Sequence, residues 1–199
     1  KKFNKKPFFV NDPRGIKNFT EKIFPMYYPD LIPQTCITGN LESFKHLLKK
    51  YKKVVIKTLF HKGGDGVEKV DIKNPSEAND EFLKLINKYK VPVVVQKFIE
   101  NVKNGDKRVI LLDGNPVGLI NRVPPKGHFK ANLHLGGRAE ETILSNKEKK
   151  ICKSLKRILI NEKLFFVGID LIDETLTEIN VTSPTGIVQI KELSGINIA

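Results

Sequence analysis

The chain predicts an α+β fold built from largely antiparallel sheets, and three features carry that expectation. Short β-rich runs come as neighbours: 53–59 with 67–72, 108–112 with 116–123, and 165–172 with 176–181. The gaps between partners hold glycine or polar turn residues and leave no room for a crossover helix, so each pair reads as a hairpin. Apolar residues at helical spacing fill stretches between the hairpins. A doubly wound parallel sheet would need regular alternation of strand and helix, which is absent.

Taken in order, residues 3–20 read as irregular, with Asn11-Asp12-Pro13-Arg14-Gly15 as turn chemistry. Residues 21–28 are a short helical candidate interrupted by Pro25. Asn40 caps a helix with Phe44, Leu47, Leu48 and Tyr51 on one face. The strand 53–59 enters the glycine-rich loop 61–66 and returns through 67–72. Ser76 caps a helix carrying Phe82, Leu85, Ile86 and Tyr89, and 91–99 is a strong strand. Asp113-Gly114-Asn115 turns the second hairpin. Residues 123–138 are polar and rich in glycine and proline, a long loop of the kind that forms lids or stays disordered. Ser145 and Glu148 form a capping box for a helix that buries Ile151, Leu155, Ile158 and Leu159. No internal repeat or low-complexity tract is visible.

The 199 residues suffice for one large domain or two small lobes around a cleft. No apolar run approaches the ~20 residues that span a bilayer, and no signal peptide is visible, so a cytoplasmic protein without membrane contact is expected. Lacking an initiator Met, the chain reads as a fragment or a processed form. Cys36 and Cys152 are its only cysteines and lie far apart, as expected of plain cytosolic thiols. A net charge of +13 attracts anions. The lysines are dispersed, however, with Lys49, Lys50, Lys52 and Lys53 and then Lys147, Lys149, Lys150, Lys153 and Lys156 on or beside amphipathic helices, where a solvated face is the default. With no aromatic RNA-binding motif and no zinc spacing, nucleic acid is a disfavoured partner.

The last hairpin is the most informative stretch. If its turn centres on Glu174, Asp170 faces Glu178, and Asn180 shares the face. Opposed Cβ atoms sit roughly 4.5–5.5 Å apart, so these carboxylates repel unless a cation lies between them. Two acids and an amide suit a hard cation such as Mg²⁺. The opposite face, with Ile169, Leu171, Ile179 and Val181, is a core face. A solvated polar face on a half-buried hairpin would leave the same pattern. Lys57 before Gly63-Gly64-Asp65-Gly66 fits phosphate binding, although no Walker lysine follows, and a flexible turn is the plainer account. His61 in that loop could bond phosphate, but a surface role is the plainer account. Gln96-Lys97-Phe98-Ile99 can offer backbone groups to an adenine, with Asp106 near enough for ribose hydroxyls; a core strand and a solvated loop would look alike. Arg108 and Arg122, near one end of the second hairpin, carry forks that match carboxylates, or are surface arginines.

The order of these pieces resembles the ATP-grasp carboxylate–amine ligases, most closely the prokaryotic glutathione synthetase family. The likeness runs from about residue 9 to about 189. Its most specific parts are Asn104-Gly105-Asp106-Lys107-Arg108-Val109, Asn132-Leu133 with Gly136-Gly137-Arg138, and the stretch from Phe166 through Pro184. The resemblance implies an ATP-grasp fold of two α+β lobes clasping the nucleotide: a lead-in at 1–20, a first lobe at 21–95 and a second at 96–199. It implies that Lys22 and Lys57 contact ATP, that Gly63, Gly64 and Gly66 cover its phosphates, and that Gln96, Lys97, Phe98 and Ile99 hold adenine and Asp106 the ribose. Asp170, Glu178 and Asn180 would bind two Mg²⁺ ions, with Mn²⁺ as a possible substitute. Arg108 and Arg122 would be catalytic, holding the acceptor and the transferring phosphoryl group. Asn132, Gly136, Gly137 and Arg138 would belong to a lid that excludes water.

The implied reaction joins γ-glutamylcysteine to glycine through an acyl phosphate, releasing ADP and phosphate and forming glutathione. A triphosphate and two carboxylates need cations in order to meet, which fits these residues. Phe60 and Lys62 depart from the family's loop, and Lys130-Ala131 replaces an Arg-Gly pair in its lid. The family's N-terminal domain is missing from this chain, and with it part of the substrate cleft; a homo-oligomer is implied for a full-length form. Another ATP-grasp ligase, or a basic nucleic-acid-binding module without catalysis, are the competing expectations.

Overall fold

The computed structural model describes residues 9–61 and 63–198, so the expected departure at Lys62 and the first part of the lead-in lie outside the described residues. The described chain begins against the second half of the molecule. Pro13–Asn18 is a helix, α1, capped by Asp12, whose side chain accepts from the Arg14 N–H. The irregular reading of 3–20 is therefore corrected here. An Asp followed by Pro at the first helical position is a helix start as much as a turn, and packing decides which. A Cβ on Gly15 would lie 2.3 Å from the Glu162 carbonyl oxygen, so only glycine allows this approach.

The first sheet contains β1 (Thr35–Thr38), β2 (Lys53–Thr58), β3 (Val67–Asp71) and β4 (Val93–Lys97), in the order β1-β4-β2-β3 and antiparallel throughout. Helices α2 (Leu41–Tyr51) and α3 (Pro75–Tyr89) cover one face of it. Phe44 and Phe82 stack at 4.5 Å between them and seal a core with Leu48, Ile56 and Val95. Asn40 caps α2 as expected, its side chain accepting from the Ser43 N–H. Ser76 does not cap α3: the helix starts two residues earlier than such a cap implies, at Pro75, with Asn74 in the cap position. Proline there brings the φ a helix needs and lacks only an N–H that would have no partner.

The second sheet has β5 (Asp106–Leu112), β6 (Asn115–Val123), β7 (Arg138–Glu140), β8 (Phe166–Ile172) and β9 (Thr175–Asn180), in the order β7-β6-β5-β8-β9, again antiparallel. Helix α4 (Asn146–Asn161) packs Ile151, Leu155 and Leu159 against Val109, Leu111, Val167 and Ile169. The capping box of Ser145 and Glu148 forms as expected. Lys147, Lys149, Lys150 and Lys153 on α4 face solvent, in keeping with the solvated-face reading. Buried Cys152 belongs to this core, and burial pushes its thiol up to about 11, which makes it inert. On the opposite face a short α5 (Ile187–Ser194) sets Ile190 on Ile110 and Ile120. No described helix is long and apolar enough to cross a membrane.

Phe19, Phe24, Tyr28 and Leu31 join the core of this second sheet. The Leu176 N–H bonds the Leu31 carbonyl at 2.8 Å and the Ile179 N–H bonds the Glu21 carbonyl at 3.2 Å, so the segment before β1 covers the outer edge of β9. Residues 21–32, expected in the first lobe, thus pack with the second. Buried Asn11 fastens their start: its amide donates to the Phe166 and Val181 carbonyls and accepts from the Phe166 N–H, each at 2.7 Å. Asn11→Ala leaves those backbone groups unpaired and is expected to cost about 2–4 kcal/mol. Urea unfolding measures it, and a change under about 0.5 kcal/mol would mean that the staple is redundant.

Candidate functional site

Strand alternation decides which side chains enter the space between the sheets. On β2, Val54 and Ile56 go to the helix-covered core, and Val55 and Lys57 to the other face. Lys57 pairs with Val67 and Val94, and Val55 with Lys69 and Gln96, so these residues share that face. Gln96 is buried and donates to Thr35 Oγ1 at 2.9 Å. On the second sheet Val109, Val167, Ile169 and Ile179 face α4, which leaves Asp106, Arg108, Arg122, Asp170, Glu178 and Asn180 on the side towards the first sheet. A cavity of about 710 Å³ lies between the two faces.

Pairing register then builds an ordered row of charge. Arg122 lies opposite Asp106, Arg108 opposite Asp170, and Asp170 opposite Glu178. Arg108 grips Asp170 with two parallel bonds, Nε to Oδ1 at 2.5 Å and Nη2 to Oδ2 at 2.9 Å. Arg122 reaches Asp170 Oδ1 at 3.0 Å and Asp106 Oδ2 at 2.7 Å. From the first sheet, Lys57 Nζ comes within 3.6 Å of Glu178. Arg108 can lie flat across β8 because residue 168 is glycine: a Cβ there would sit 2.7 Å from the Pro184 ring and 3.2 Å from Arg108 Cδ. The expectation that Asp170 faces Glu178 holds, by a different route. The turn is the two residues Asp173 and Glu174, both with positive φ, and Thr177 is an extra residue that bulges out of β9. Thr177 Oγ1 donates to the Asp170 carbonyl at 3.1 Å.

The glycine loop and the lid meet over one end of the cavity. Gly63, Gly64 and Gly66 all have positive φ, which glycine adopts without strain. A Cβ on Gly64 would lie 3.0 Å from both Asn132 Oδ1 and Leu135, and one on Gly63 would lie 3.2 Å from the His134 ring. Glycine here lets the lid dock as well as the loop turn. Lys22 is buried, and its ammonium donates to the His61 carbonyl at 2.6 Å. Lys130 stands 3.6 Å from Glu68 and ties the lid to β3.

Most expected site residues line this one cavity: Lys22, Lys57, Gly63, Gly64, Gln96, Lys97, Phe98, Ile99, Asp106, Arg108, Arg122, Asn132, Asp170, Glu178 and Asn180. Gly66, Gly136, Gly137 and Arg138 do not. Gly66 closes the loop against Thr58, Gly137 packs on the Ala131 carbonyl, and exposed Arg138 pairs with Glu140 on the edge strand. Arg108 and Arg122 spend their forks on acids of the protein itself. The Lys97 and Phe98 N–H groups are likewise committed, to the Gln34 and Lys53 carbonyls. Sequence reasoning missed Thr177, which carries no signal before the register is known, and Phe129, whose place in the cavity depends on how the lid folds back.

The donor set fits a hard cation. Asp170 and Glu178 are directly paired, and the Asn180 amide donates to Asp170 Oδ2 at 3.3 Å, which leaves its own oxygen free to ligate. Asp170 is buried, yet the charges and hydrogen bonds of Arg108 and Arg122 outweigh that burial and hold its carboxyl well below the usual range. Asp106 goes the other way. Burial pushes it up to about 6 against the pull of Arg122, and the Asp170 charge adds to the rise. Its Oδ1 is buried without a partner among the described residues, and Asp106 is one of the residues that line the cavity.

These two acids have opposite effects on stability. Asp170 contributes stability that is present at neutral pH and lost as pH falls through its depressed range. Asp106 keeps its proton in the folded chain up to about 6, from an ordinary value of 3.8, so its ionisation removes stability as pH rises through that window. That loss is on the order of 2–3 kcal/mol. Urea unfolding of Asp106→Asn across the same window should lack this decline, and an unchanged slope would show that Asp106 does not cause it.

With the geometry in place, comparison with known proteins gives a consistent answer. The family described as prokaryotic glutathione synthetase, ATP-grasp domain, matches residues 21–195. Proteins named glutathione synthetase from Prochlorococcus marinus subsp. pastoris and Bradyrhizobium diazoefficiens are 41% and 42% identical to this chain and cover 96% and 98% of it. The chain spans 62% of the length of each. Among solved structures, D-cycloserine synthetase DcsG superposes with a TM-score of 0.70 at 14% identity, covering 88% of this chain and 66% of that one. D-alanyl-alanine synthetase A from Vibrio cholerae superposes with a TM-score of 0.68 at 18% identity, covering 89% and 60%. At those identities the structures speak for the fold alone, and it is the expected ATP-grasp fold. A cavity between two antiparallel sheets, a charged row on one of them, and a family match over nearly the whole chain agree: this chain belongs to the ATP-grasp domain family of prokaryotic glutathione synthetases.

Proposed function

We propose that this chain is the nucleotide-binding and catalytic part of an ATP- and Mg²⁺-dependent ligase that joins γ-glutamylcysteine to glycine. The observation that carries the reading is the row Arg122–Asp106, Arg108–Asp170–Glu178, set opposite Lys57 and beneath the glycine loop. Acids alone would repel a triphosphate, and bases alone would hold no metal. The alternation serves both. The similarity to proteins named glutathione synthetase supports the choice of substrates.

On this reading Asp170, Glu178 and Asn180 would hold two Mg²⁺ ions, with Mn²⁺ as a substitute, which would supply charge neutralisation for the phosphates. Lys22 and Lys57 take phosphate oxygens, and the loop from Gly63 to Gly66 covers them. Transfer of the γ-phosphoryl group of ATP to a substrate carboxylate releases ADP and gives an acyl phosphate; the glycine amine then attacks its carbonyl carbon, loses a proton and expels inorganic phosphate as the amide bond forms. Arg108 and Arg122, set on rigid strands, steady the charge that builds during both steps. The lid, docked through Asn132, His134 and Leu135, keeps water from the acyl phosphate. Asp106, in the cavity lining, accepts a ribose hydroxyl.

Thermal unfolding tests the nucleotide site first. Mg²⁺-ATP at 100 times its dissociation constant should stabilise the chain by roughly 2.7 kcal/mol, and Glu178→Ala should abolish most of the Mg²⁺-dependent part. A shift that survives in Glu178→Ala would remove Glu178 from the site. ADP release with γ-glutamylcysteine and glycine, compared with other carboxylate–amine pairs, tests the substrates. Turnover confined to a different pair would move the chain to another ligase of this fold.

A further inference from the structure

The cavity lining is mixed: Lys22, Lys57, Gly63, Gly64 and the acidic row share it with Val55, Val67, Phe98, Val102, Ile172 and Leu133. A nucleotide is mixed in the same way, with a charged tail and a flat, weakly polar base. The hinge residue Phe98 is half-buried in the apolar lining and is met there by a lid residue that has no part in the roles proposed above. Phe129 sets its ring against Phe98 edge to face, with centroids 6.1 Å apart and planes at 78°. Two rings at nearly a right angle form a corner, where a planar heterocycle can stack on one face and meet the edge of the other.

This corner is held in place. Lys69 on β3 places its ammonium 5.3 Å from the Phe98 ring and 5.9 Å from the Phe129 ring. Lys130, next in the chain, pairs with Glu68, the neighbour of Lys69. Phe129 is therefore held to the first sheet by cation–π contact, and its neighbour Lys130 by an ion pair. The lid touches the first sheet through its tip on the glycine loop, through Lys130 on Glu68 of β3, and through Phe129 on Phe98.

We infer that Phe129 is a binding residue for the nucleobase, closing over it from the lid, so that the lid responds to the nucleoside as well as to the phosphates. The inference rests on the nucleotide reading above and goes beyond it, since the lid was there assigned only to excluding water. Aromatic stacking on a base contributes about 1–3 kcal/mol, so losing the ring should weaken nucleotide binding roughly ten- to hundredfold.

Isothermal titration with two probes separates base from phosphate: ADP and inorganic tripolyphosphate, each with Mg²⁺. Phe129→Ala should lose the stated factor for ADP and keep wild-type affinity for tripolyphosphate. Phe129→Leu, which keeps apolar bulk without an aromatic face, should behave like the alanine variant, and Phe129→Tyr should restore binding. Melting of each variant without ligand checks that it is folded. ADP binding unchanged in Phe129→Ala, or ADP and tripolyphosphate weakened equally, would overturn the inference and leave the nucleotide site standing. Wild-type protein that binds tripolyphosphate but not ADP would overturn the nucleotide reading and this inference with it.

Discussion

Asp170 is the constraint on which the site depends. It is a buried carboxylate that receives three guanidinium bonds from two arginines, themselves buried. None of the three charges could stay in this interior alone. Removing one partner of a buried ion pair typically costs 3–5 kcal/mol, because the partner left behind remains charged and unsolvated. β5 and β8 must therefore pair in the register that sets Arg108 against Asp170, and β6 must bring Arg122 to the same place. The glycine at 168 and the packed core beneath the sheet serve this arrangement: one gives Arg108 room, and the other stops the strands from shifting.

The bulge at Thr177 is what brings Glu178 into that row. With a two-residue turn and an unbroken ladder, Glu178 would fall opposite Ile169 and point into the core of the second sheet. One inserted residue moves the register, so that Ile169 meets Ile179 and Asp170 meets Glu178. Everything beyond it changes face with it. The Thr177 hydroxyl bonds the Asp170 carbonyl, so the irregularity is tied to the residue whose surroundings it completes.

Much of this was legible in the sequence because it is local. Helical spacing in 40–51 and 145–159, the capping box at Ser145, and alternation in the last hairpin each report an element from within a few residues. β1 escaped notice because Thr35-Cys36-Ile37-Thr38 is four residues long and owes its strand state to β4 beside it. Helix α1 escaped because Asp-Pro-Arg-Gly suits a turn equally well, and its contact with Glu162 and Leu164 decides the matter from far along the chain. The same distinction holds at the site. Residue types and their order were readable, and so was the facing of Asp170 and Glu178. That both arginines would bind Asp170 before any substrate was not, since it depends on three strands meeting.

The chain passes between the two sheets on either side of β1 and β4, and those two crossings run side by side. Thr35 is paired with Gln96, and the Lys97 N–H bonds the Gln34 carbonyl at 2.9 Å. Two crossings laced into one ribbon make a single pivot, like a door hung on one pin. Away from that ribbon the two halves are held by Lys57 to Glu178 and by Lys22 to the His61 carbonyl. Swinging about that pin would part both contacts together.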